Sequence, residues 1–356
     1  MTIKDLRLEE LTSWANTQAP KLPSHPNGRT PLLTVSGDAS FRRYFRLIIG
    51  NASYIAVDAP PAHENSKNFV QVAALLRDAG VLTPRVLAVD YNLGFMLLED
   101  FGDTLYLPRL LQAQIRQDIE LPSRLYQDAF RALVTLQKGT DTRQLPPYDY
   151  ARLYTEMNLF PIWFCEAFLG LTLDSVDHER IAEAFQLLAQ AALSQPQVAV
   201  HRDYHSRNLL VLDATKFSAG ANPGIIDFQD AVVGAYTYDL VSLLRDCYIS
   251  WEPSQVTQWA LQFHQLAATR GMYSDIGESQ FLRDFDLMGL QRNLKVLGIF
   301  SRLCIRDNKP QYLADIPLVI RYFLDVSAQY RELQSFREWF AQTVLPVART
   351  KLNLKL

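Results

Sequence analysis

His201, Asp203 and His205 alternate in the segment HRDYHSRNLLVL (201–212), and imidazole and carboxylate groups can bind metals or move protons. On a β-strand the three side chains would share one face, which would favour a zinc or iron site. Such a site needs further ligands, and no other histidine of the chain has a cysteine or carboxylate at ligand spacing. Alternatively, neither histidine has a chemical function: His201 is structural and bonds the loop backbone, and His205 lies on the surface.

The same segment also has the residue types and spacing for phosphoryl transfer. In the loop H-R-D-x-x-x-x-N, the Asp accepts the proton of the acceptor hydroxyl and the Asn binds magnesium. Every fixed position is filled, by His201, Arg202, Asp203 and Asn208. A second carboxylate ligand is expected at the end of a neighbouring strand, and Asp227 follows the apolar run GII. The sequence therefore predicts Asp203 as the catalytic base and Asn208 and Asp227 as the metal ligands.

Two kinds of structure must position these residues. Before about residue 100, β-rich runs surround one helical pattern at 66–80, which predicts a small sheet with one helix against it. Later, helical patterns predominate, at 123–139, 178–194, 238–251, 253–271 and 285–307, while 197–230 holds three short β-runs. We therefore predict an α+β, bilobal fold with an N-terminal lobe at 1–98, a hinge at 99–104 and a mainly helical C-terminal lobe at 105–356.

Composition limits the partners and the compartment. The 356 residues include 35 Lys and Arg against 38 Asp and Glu, so no net positive field attracts nucleic acid or an anionic membrane. A small-molecule partner is therefore expected. The three cysteines are odd in number and far apart, which is typical of reduced intracellular thiols, and no run of about 18 apolar residues is present. We predict a monomeric, cytoplasmic protein.

The segments around the catalytic loop identify a family. HRDYHSRNLLVL followed by GIIDFQDAVVGAYTYDLVSLLRD resembles the aminoglycoside phosphotransferase family, the small-molecule branch of the protein-kinase-like fold. In protein kinases a D-F-G triplet precedes a long activation loop. Here Asp227 opens Asp-Phe-Gln, and a helix is predicted to begin near Tyr238 and Asp239, so no room remains for such a loop. The resemblance implies that Asp239 is an N-cap or bonds back to the catalytic loop.

Further segments extend the resemblance over nearly the whole chain, among them SGDASFRRYFRL, YIAVDAPP, GFMLLEDFGD and QRNLKVLGIFSRLCIRDNKP. Within the family they are most similar to the anomeric kinases of bacterial cell-wall recycling. That likeness implies ATP and Mg2+ as cofactors and the C1 hydroxyl of N-acetylmuramate or N-acetylglucosamine as acceptor. Two alternatives stay open: a kinase of another small hydroxyl acceptor, such as an aminoglycoside, choline or homoserine, and a non-catalytic nucleotide-binding scaffold.

The usual ion pair of the nucleotide site is missing. In kinases a Lys on the third strand contacts the α- and β-phosphates and pairs with a helix Glu. Here Asp58 and Phe69 stand near those two positions. Because both partners are absent together, we expect other residues to replace them. The adenine is expected at the hinge, on backbone groups from Glu99 to Phe101.

The phosphates must then bind elsewhere. We expect Ser40 and the backbone after Gly37 to approach them, with Arg43 or its neighbour Arg42 supplying the positive charge. Successive residues of a strand face opposite ways, so at most one of the two arginines can do so. Alternatively, both are surface charges on an edge strand. His205, where protein kinases often carry a Lys, is predicted to contact the γ-phosphate.

A basic stripe in the predicted helix at 285–307 suggests the charge of the acceptor. Arg292, Lys295, Arg302 and Arg306 fall within about 80° of one helix face. Such a stripe disfavours a polycationic acceptor and suits an anionic group, such as the lactyl carboxylate of N-acetylmuramate. We predict Arg292, Lys295 and Arg302, with Asp203, as substrate-binding residues. The alternative is an ordinary solvated stripe.

Overall fold

The structure is a computed structural model that describes residues 5–18, 30–37, 41–218 and 221–353. The elements before the segment 201–208 are α1 (Leu6–Gln18), β1 (Leu32–Gly37), β2 (Arg43–Ile49), β3 (Ala52–Asp58), α2 (Ser66–Asp78), β4 (Val86–Asp90), β5 (Phe95–Glu99), α3 (Tyr106–Arg116), α4 (Glu120–Gly139), α5 (Tyr150–Met157), α6 (Ser175–Leu193) and β6 (Gln197–Val200). Those after it are β7 (Leu209–Leu210), β8 (Gly224–Ile225), β9 (Val232–Ala235), α7 (Tyr238–Leu244), α8 (Pro253–Thr269), α9 (Glu278–Ile305), α10 (Ile316–Ser327), α11 (Gln334–Trp339) and α12 (Leu345–Leu352).

The chain forms two compact units. The first comprises the described residues up to Thr104 together with 209–229, and the second comprises 105–208 and those from 230 onward. The sequence predicts 209–229 as part of the C-terminal lobe, whereas the structure packs this segment with the first unit. Two backbone hydrogen bonds attach it there, from Val211 N to the carbonyl of Thr104 and from Ile225 N to the carbonyl of Leu82, each 2.8 Å.

The first unit is built on an antiparallel sheet with strand order β1-β2-β3-β5-β4. Every second residue of β2, namely Phe45, Leu47 and Ile49, is buried in a cluster with Leu11 and Ala15 of α1. The helix α1 therefore covers one face of the sheet. Because β2 lies between two other strands, the edge-strand interpretation of the arginines at its start is wrong.

The helix α2 follows β3 and packs against the segment 209–229. It begins after Asn65, whose side chain accepts a hydrogen bond from Asn68 N (3.1 Å). Phe69 is buried, and its ring centroid lies 4.9 Å from that of Phe228. An aromatic contact thus occupies the helix position where a kinase would carry its Glu.

The second unit is organised around the long helix α9. Residues 284–298 of this helix are all buried, charged side chains included, so it is a core helix that is covered on every side. A π-helical segment, Phe160–Leu169, packs against it. None of the helices within the described ranges is long and apolar enough to cross a membrane.

At Gly298 the backbone of Leu159 comes close to α9. A Cβ at this position would lie 2.4 Å from the carbonyl carbon of Leu159. We expect Gly298→Ala to lower the free energy of unfolding by about 3 kcal/mol or more, because backbone cannot move aside cheaply. Gly289→Ala is the matched control on the same helix, since its Cβ would meet the end of the Arg245 side chain at 3.1 Å and Val241 at an ordinary contact distance of 3.5 Å, and no backbone atom. Urea unfolding of both variants measures the difference; equal losses of stability would contradict the prediction.

Two parts of the second unit differ from the predicted elements. The helix predicted at 238–251 ends at Leu244. Beyond it, the side chain of Asp246 accepts a hydrogen bond from Tyr248 N (3.1 Å), a local bond that competes with helix continuation. The strand β9 was not predicted; it pairs antiparallel with β6, from Gln197 opposite Ala235 to Val200 opposite Val232.

Candidate active site

The loop 201–208 connects β6 to β7 and closes around the carbonyl of Asp203. That carbonyl accepts hydrogen bonds from His205 N (3.0 Å) and from the side-chain amide of Asn208 (2.9 Å). Nδ1 of His201 accepts a bond from Asp203 N (3.3 Å). His201 therefore has the loop-holding role that the sequence suggests, and the turn fixes the spacing from Asp203 to Asn208.

Two buried carboxylates anchor this loop. Asp239 accepts hydrogen bonds from His201 N (2.7 Å) and Arg202 N (3.0 Å), which confirms the predicted bond back to the loop. Asp246 accepts bonds from the backbone N–H and the hydroxyl of Ser206. Burial raises the pKa of Asp239 to about 7, although the two backbone bonds act in the opposite direction.

Arg202 has a positive φ of 78°, which is strained for a residue with a side chain. Its guanidinium pairs with Glu156 of α5, and the same carboxylate accepts a bond from the Tyr148 hydroxyl and contacts Nζ of Lys295 at 3.0 Å. Glu156 thus joins the catalytic loop to α9. The sequence does not predict this role of Glu156, since no motif marks the residue; its signal is an acid one turn after the buried Leu153.

The charges around Asp203 keep its carboxyl ionised. Burial would raise the pKa of Asp203, but the positive charges of Lys295 and Arg202 lower it below the usual value. Nζ of Lys295 also donates to the Tyr238 hydroxyl at 2.9 Å. The second unit thus presents a buried anion surrounded by cations.

The basic stripe of α9 runs from buried to exposed residues. Arg292 and Lys295 are only 5% and 6% exposed, so the solvated-stripe interpretation is wrong for these two. The guanidinium of Arg292 lies 3.9 Å from Sγ of Cys247 and forms no salt bridge with any carboxylate in the ranges that the structure describes. Arg302 is partly buried, whereas Arg306 is exposed and pairs with Asp307. The structure therefore places Arg292 and Lys295 in the charged surroundings of Asp203.

His205 is buried, so its interpretation as a surface residue is wrong. Its ring meets the ring of Tyr248 edge to face at 5.4 Å, and Arg207 lies over the same tyrosine at 3.5 Å. Burial lowers the pKa of His205. Its contact with a γ-phosphate stays a prediction.

The metal-triad interpretation of the alternating residues is wrong. Across the described residues, no group of three or more His, Cys, Asp or Glu side chains could hold a metal ion. The pair Asn208 and Asp227 has a different chemistry, since Mg2+ prefers oxygen ligands and binds with one or two carboxylates plus substrate phosphates. The amide nitrogen of Asn208 bonds within the loop, which fixes the orientation of its amide group. This donor set fits magnesium.

In the first unit, Asp227 has a positive φ of 64° and a fixed carboxylate. The side chain of Gln229 donates to Oδ1 of Asp227 (2.9 Å), and Asn68 of α2 donates to the carbonyl of Gln229 (2.7 Å). Strained backbone of this kind persists where neighbouring contacts hold it, often at functional sites. The segment 227–229 is thus tied to α2.

Arg42 and Arg43 are engaged in different places. Arg43 binds Asp58, through Nε (3.0 Å) and a terminal nitrogen (2.6 Å), and also pairs with Asp5. Asp58 is fully buried and pairs with Arg7 of α1 as well. The role of Arg43 at the phosphates stays a prediction, but two carboxylates already hold its guanidinium.

Ser40 lies outside the described residues. Gly37 ends β1, paired with Arg43 of β2. The expectation that Ser40 and the backbone after Gly37 approach the phosphates therefore stays a prediction.

The predicted hinge is held by its own contacts. Glu99 N donates to the carbonyl of Arg85 (2.9 Å), and Arg46 pairs with Asp100 at 2.6 Å. The ring of Phe101 packs edge-on against Phe217 at 5.4 Å, within the first unit. Adenine binding by Glu99 and Phe101 stays a prediction.

Comparisons with known proteins agree on the family. A model of the phosphotransferase enzyme family (APH) matches residues 32–273. The chain is 40% identical to the N-acetylmuramate/N-acetylglucosamine kinase of Pseudomonas aeruginosa, over 95% of this chain and 97% of that protein. It is 37% identical to the kinase of the same name from Neisseria meningitidis, over 91% and 92% of the two chains.

Solved structures agree on the fold. ADP-bound aminoglycoside phosphotransferase APH(2'')-Ib matches with a TM-score of 0.58 at 14% identity, over 90% of this chain and 98% of that one. Choline kinase LicA from Streptococcus pneumoniae matches with a TM-score of 0.57 at 12% identity, over 88% and 99%. These likenesses establish the protein-kinase-like fold. With a family match over most of its length and relatives of this identity, the chain belongs to the phosphotransferase enzyme family.

Proposed function

We propose that the protein transfers the γ-phosphoryl group of ATP to the anomeric C1 hydroxyl of N-acetylmuramate and N-acetylglucosamine. The relatives of this name, 37–40% identical over nearly the whole chain, are the main support. The sugar 1-phosphate would then supply UDP-sugar synthesis in cell-wall recycling. We further propose that the enzyme works as a monomer in the cytoplasm.

Asp203 is the proposed catalytic residue. The loop fixes its backbone, and nearby cations keep its carboxylate ionised and able to accept a hydrogen bond from the sugar hydroxyl. A strong base is unnecessary, since phosphoryl transfer passes through a loose transition state and depends mainly on positioning and electrostatics. The anomeric hydroxyl is also more acidic than an ordinary alcohol. A lowered pKa at Asp203 is therefore compatible with its role.

Asn208 and Asp227 are the proposed magnesium ligands. When bound with ATP, magnesium neutralises charge on the phosphates. The chain contributes an amide oxygen from the catalytic loop and a carboxylate that Gln229 holds in place. His205 is proposed to contact the γ-phosphate.

The buried cations of α9 are proposed to bind the acceptor. A buried guanidinium without a carboxylate partner is costly, and an anionic ligand would offset that cost. Arg292 has this character within the described part of the chain. Burial would lower its pKa, but negative charges around it, that of Asp203 among them, raise it. Lys295 and Arg302 extend the same stripe. These cations suit the lactyl carboxylate of N-acetylmuramate and disfavour a polycationic aminoglycoside.

One experiment tests the function. Purified protein is incubated with Mg-ATP and a panel of amino sugars, aminoglycosides, choline and homoserine, and the products are read by mass spectrometry. We expect one phosphate on N-acetylmuramate and N-acetylglucosamine, with loss of the 1-phosphate under mild acid. Phosphate on another acceptor alone would establish the other-acceptor alternative, and ATP binding without any product would indicate a scaffold.

Replacing Arg292 should separate the two sugars. We expect Arg292→Met to lower kcat/KM for N-acetylmuramate by about tenfold to a hundredfold, because a charge-assisted hydrogen bond contributes about 1.5–3 kcal/mol. N-acetylglucosamine has no carboxylate and serves as the internal control, with a much smaller change. Parallel steady-state kinetics on both sugars measures the ratio. An equal loss of kcat/KM for both sugars would show that Arg292 does not bind the lactyl carboxylate.

A further inference from the structure

Arg42 and Glu64 form a buried ion pair in the first unit. The guanidinium and carboxylate approach to 2.7 Å, and their side chains are only 9% and 10% exposed. The ring of Phe69 lies 5.7 Å from the guanidinium carbon. Desolvating two charges is costly, so a buried pair of this kind often adds little net stability to the fold. Its presence therefore suggests a role besides stability.

Glu64 also fixes the backbone just before β2. Its other oxygen accepts a hydrogen bond from Phe41 N (3.2 Å), and the ring of Phe41 stacks on His63 at 4.3 Å. One carboxylate thus holds both the backbone at 41 and the side chain of Arg42. The position of this cation is therefore determined by the loop before α2.

Arg42 of this pair interacts electrostatically with Asp227. Burial would lower the pKa of Arg42, but its interactions with Tyr44, Glu64 and Asp227 raise it. Phe69, which the guanidinium covers, packs in turn on Phe228, the residue after Asp227. The cation, the helix α2 and the proposed metal ligand are thus parts of one packed cluster within the first unit.

We propose that Arg42 and Glu64 replace the missing Lys–Glu pair: Arg42 contacts the α- and β-phosphates of the nucleotide, and Glu64 is its positioning residue. The pair comes from the residue before β2 and the loop before α2, not from β3 and the helix. Arg43 is the weaker candidate, because Asp58 and Asp5 already bind it. The inference rests on the proposed function only in requiring a bound nucleotide.

Nucleotide binding without acceptor tests the proposal. Dissociation constants for Mg-ADP and for adenosine are measured by calorimetry on Arg42→Gln. We expect ADP to bind about 10- to 100-fold more weakly while adenosine, which lacks phosphates, binds as in the wild type. Glu64→Gln should give a smaller loss, again for ADP only. In the Arg42→Gln background, Glu64→Gln should cause no further loss, because Glu64 acts through Arg42.

The controls separate a phosphate contact from a structural role. Arg7→Gln breaks a different ion pair of this unit, Arg7–Asp58, and should leave ADP affinity unchanged. If Arg42→Gln does not fold, Arg42→Lys tests the phosphate contact in its place. Lysine keeps the positive charge but lacks the two-pronged guanidinium group. We therefore expect an intermediate loss of affinity, for ADP only. Unchanged ADP affinity in the Arg42 variants, equal losses for ADP and adenosine, or a loss seen only in Arg43→Gln would overturn the proposal. If the wild type binds ADP but phosphorylates no amino sugar, the proposed function is wrong, whereas the proposed role of Arg42 and Glu64 is unaffected.

Discussion

Asp203→Asn is expected to lower kcat for sugar phosphorylation by about 10²- to 10⁴-fold, the range for loss of a positioned acid or base. Asn keeps the shape of the side chain and can still occupy the loop, but it cannot take the proton of the sugar hydroxyl. The backbone carbonyl of residue 203, which bonds His205 and Asn208, is unaffected by the change. Nucleotide affinity should therefore stay near the wild-type value while turnover is lost. Coupled ADP release and calorimetry measure the two quantities.

The control for this variant is Asp213→Asn, at an exposed aspartate just beyond β7. It should keep full activity. Because Asp203 balances the charges of Lys295 and Arg202, thermal unfolding of the Asn variant must be measured too. A folded Asp203→Asn enzyme that keeps more than about a tenth of wild-type turnover would rule out Asp203 as the proton acceptor.

Asp239→Ala should be among the most destabilising single changes in the second unit. It leaves the N–H groups of His201 and Arg202 buried without their acceptor, at about 1–3 kcal/mol each, so we expect a loss of about 2–6 kcal/mol. Turnover should fall as well, because the strained backbone of Arg202 loses a restraint beside Asp203. Denaturant unfolding and steady-state kinetics on the same preparation measure both effects.

The pH dependence gives this prediction a second readout. Burial raises the pKa of Asp239 to about 7, above its value of about 4 in an unfolded chain. The folded state therefore binds the proton more tightly, and the contribution of Asp239 to stability falls as pH rises from about 4 to about 7. The stability difference between wild type and Asp239→Ala should be larger at pH 5 than at pH 8. Asp325→Ala, at an exposed site on α10, is the control; a difference that grows with pH would refute the assignment.

The catalytic loop could be predicted from sequence because its geometry is local. The bonds from Asn208 and His205 to the carbonyl of Asp203 join residues at most five apart, so a short motif specifies them. The bond from Asp239 to the loop was also predicted, because the resemblance to the family implies an Asp at a helix start shortly after Asp227. The roles of Asp203, Asn208 and Asp227 in binding and catalysis stay predictions.

Contacts between distant segments could not be predicted in the same way. Glu156 lies 46 residues from Arg202 and 139 residues from Lys295, and nothing in its neighbourhood distinguishes it from a surface acid. Alternation showed that Arg42 and Arg43 face opposite ways, but only the fold shows which one meets Asp58. The end of α7 depends on the side chain of Asp246, whose preference for a local bond is invisible to helical periodicity.

The segment 209–229 has a consequence for how the protein is made. A ribosome completes the sheet and α2 early, yet Phe228, which packs on Phe69, and Ile225, which bonds Leu82, emerge only after α3 to α6 have been synthesised. The first unit therefore cannot reach its final packing cotranslationally from its own N-terminal residues. Until residue 229 leaves the exit tunnel, the ring of Phe69 lacks a partner that native packing provides, and the nascent chain exposes an apolar surface that favours chaperone binding.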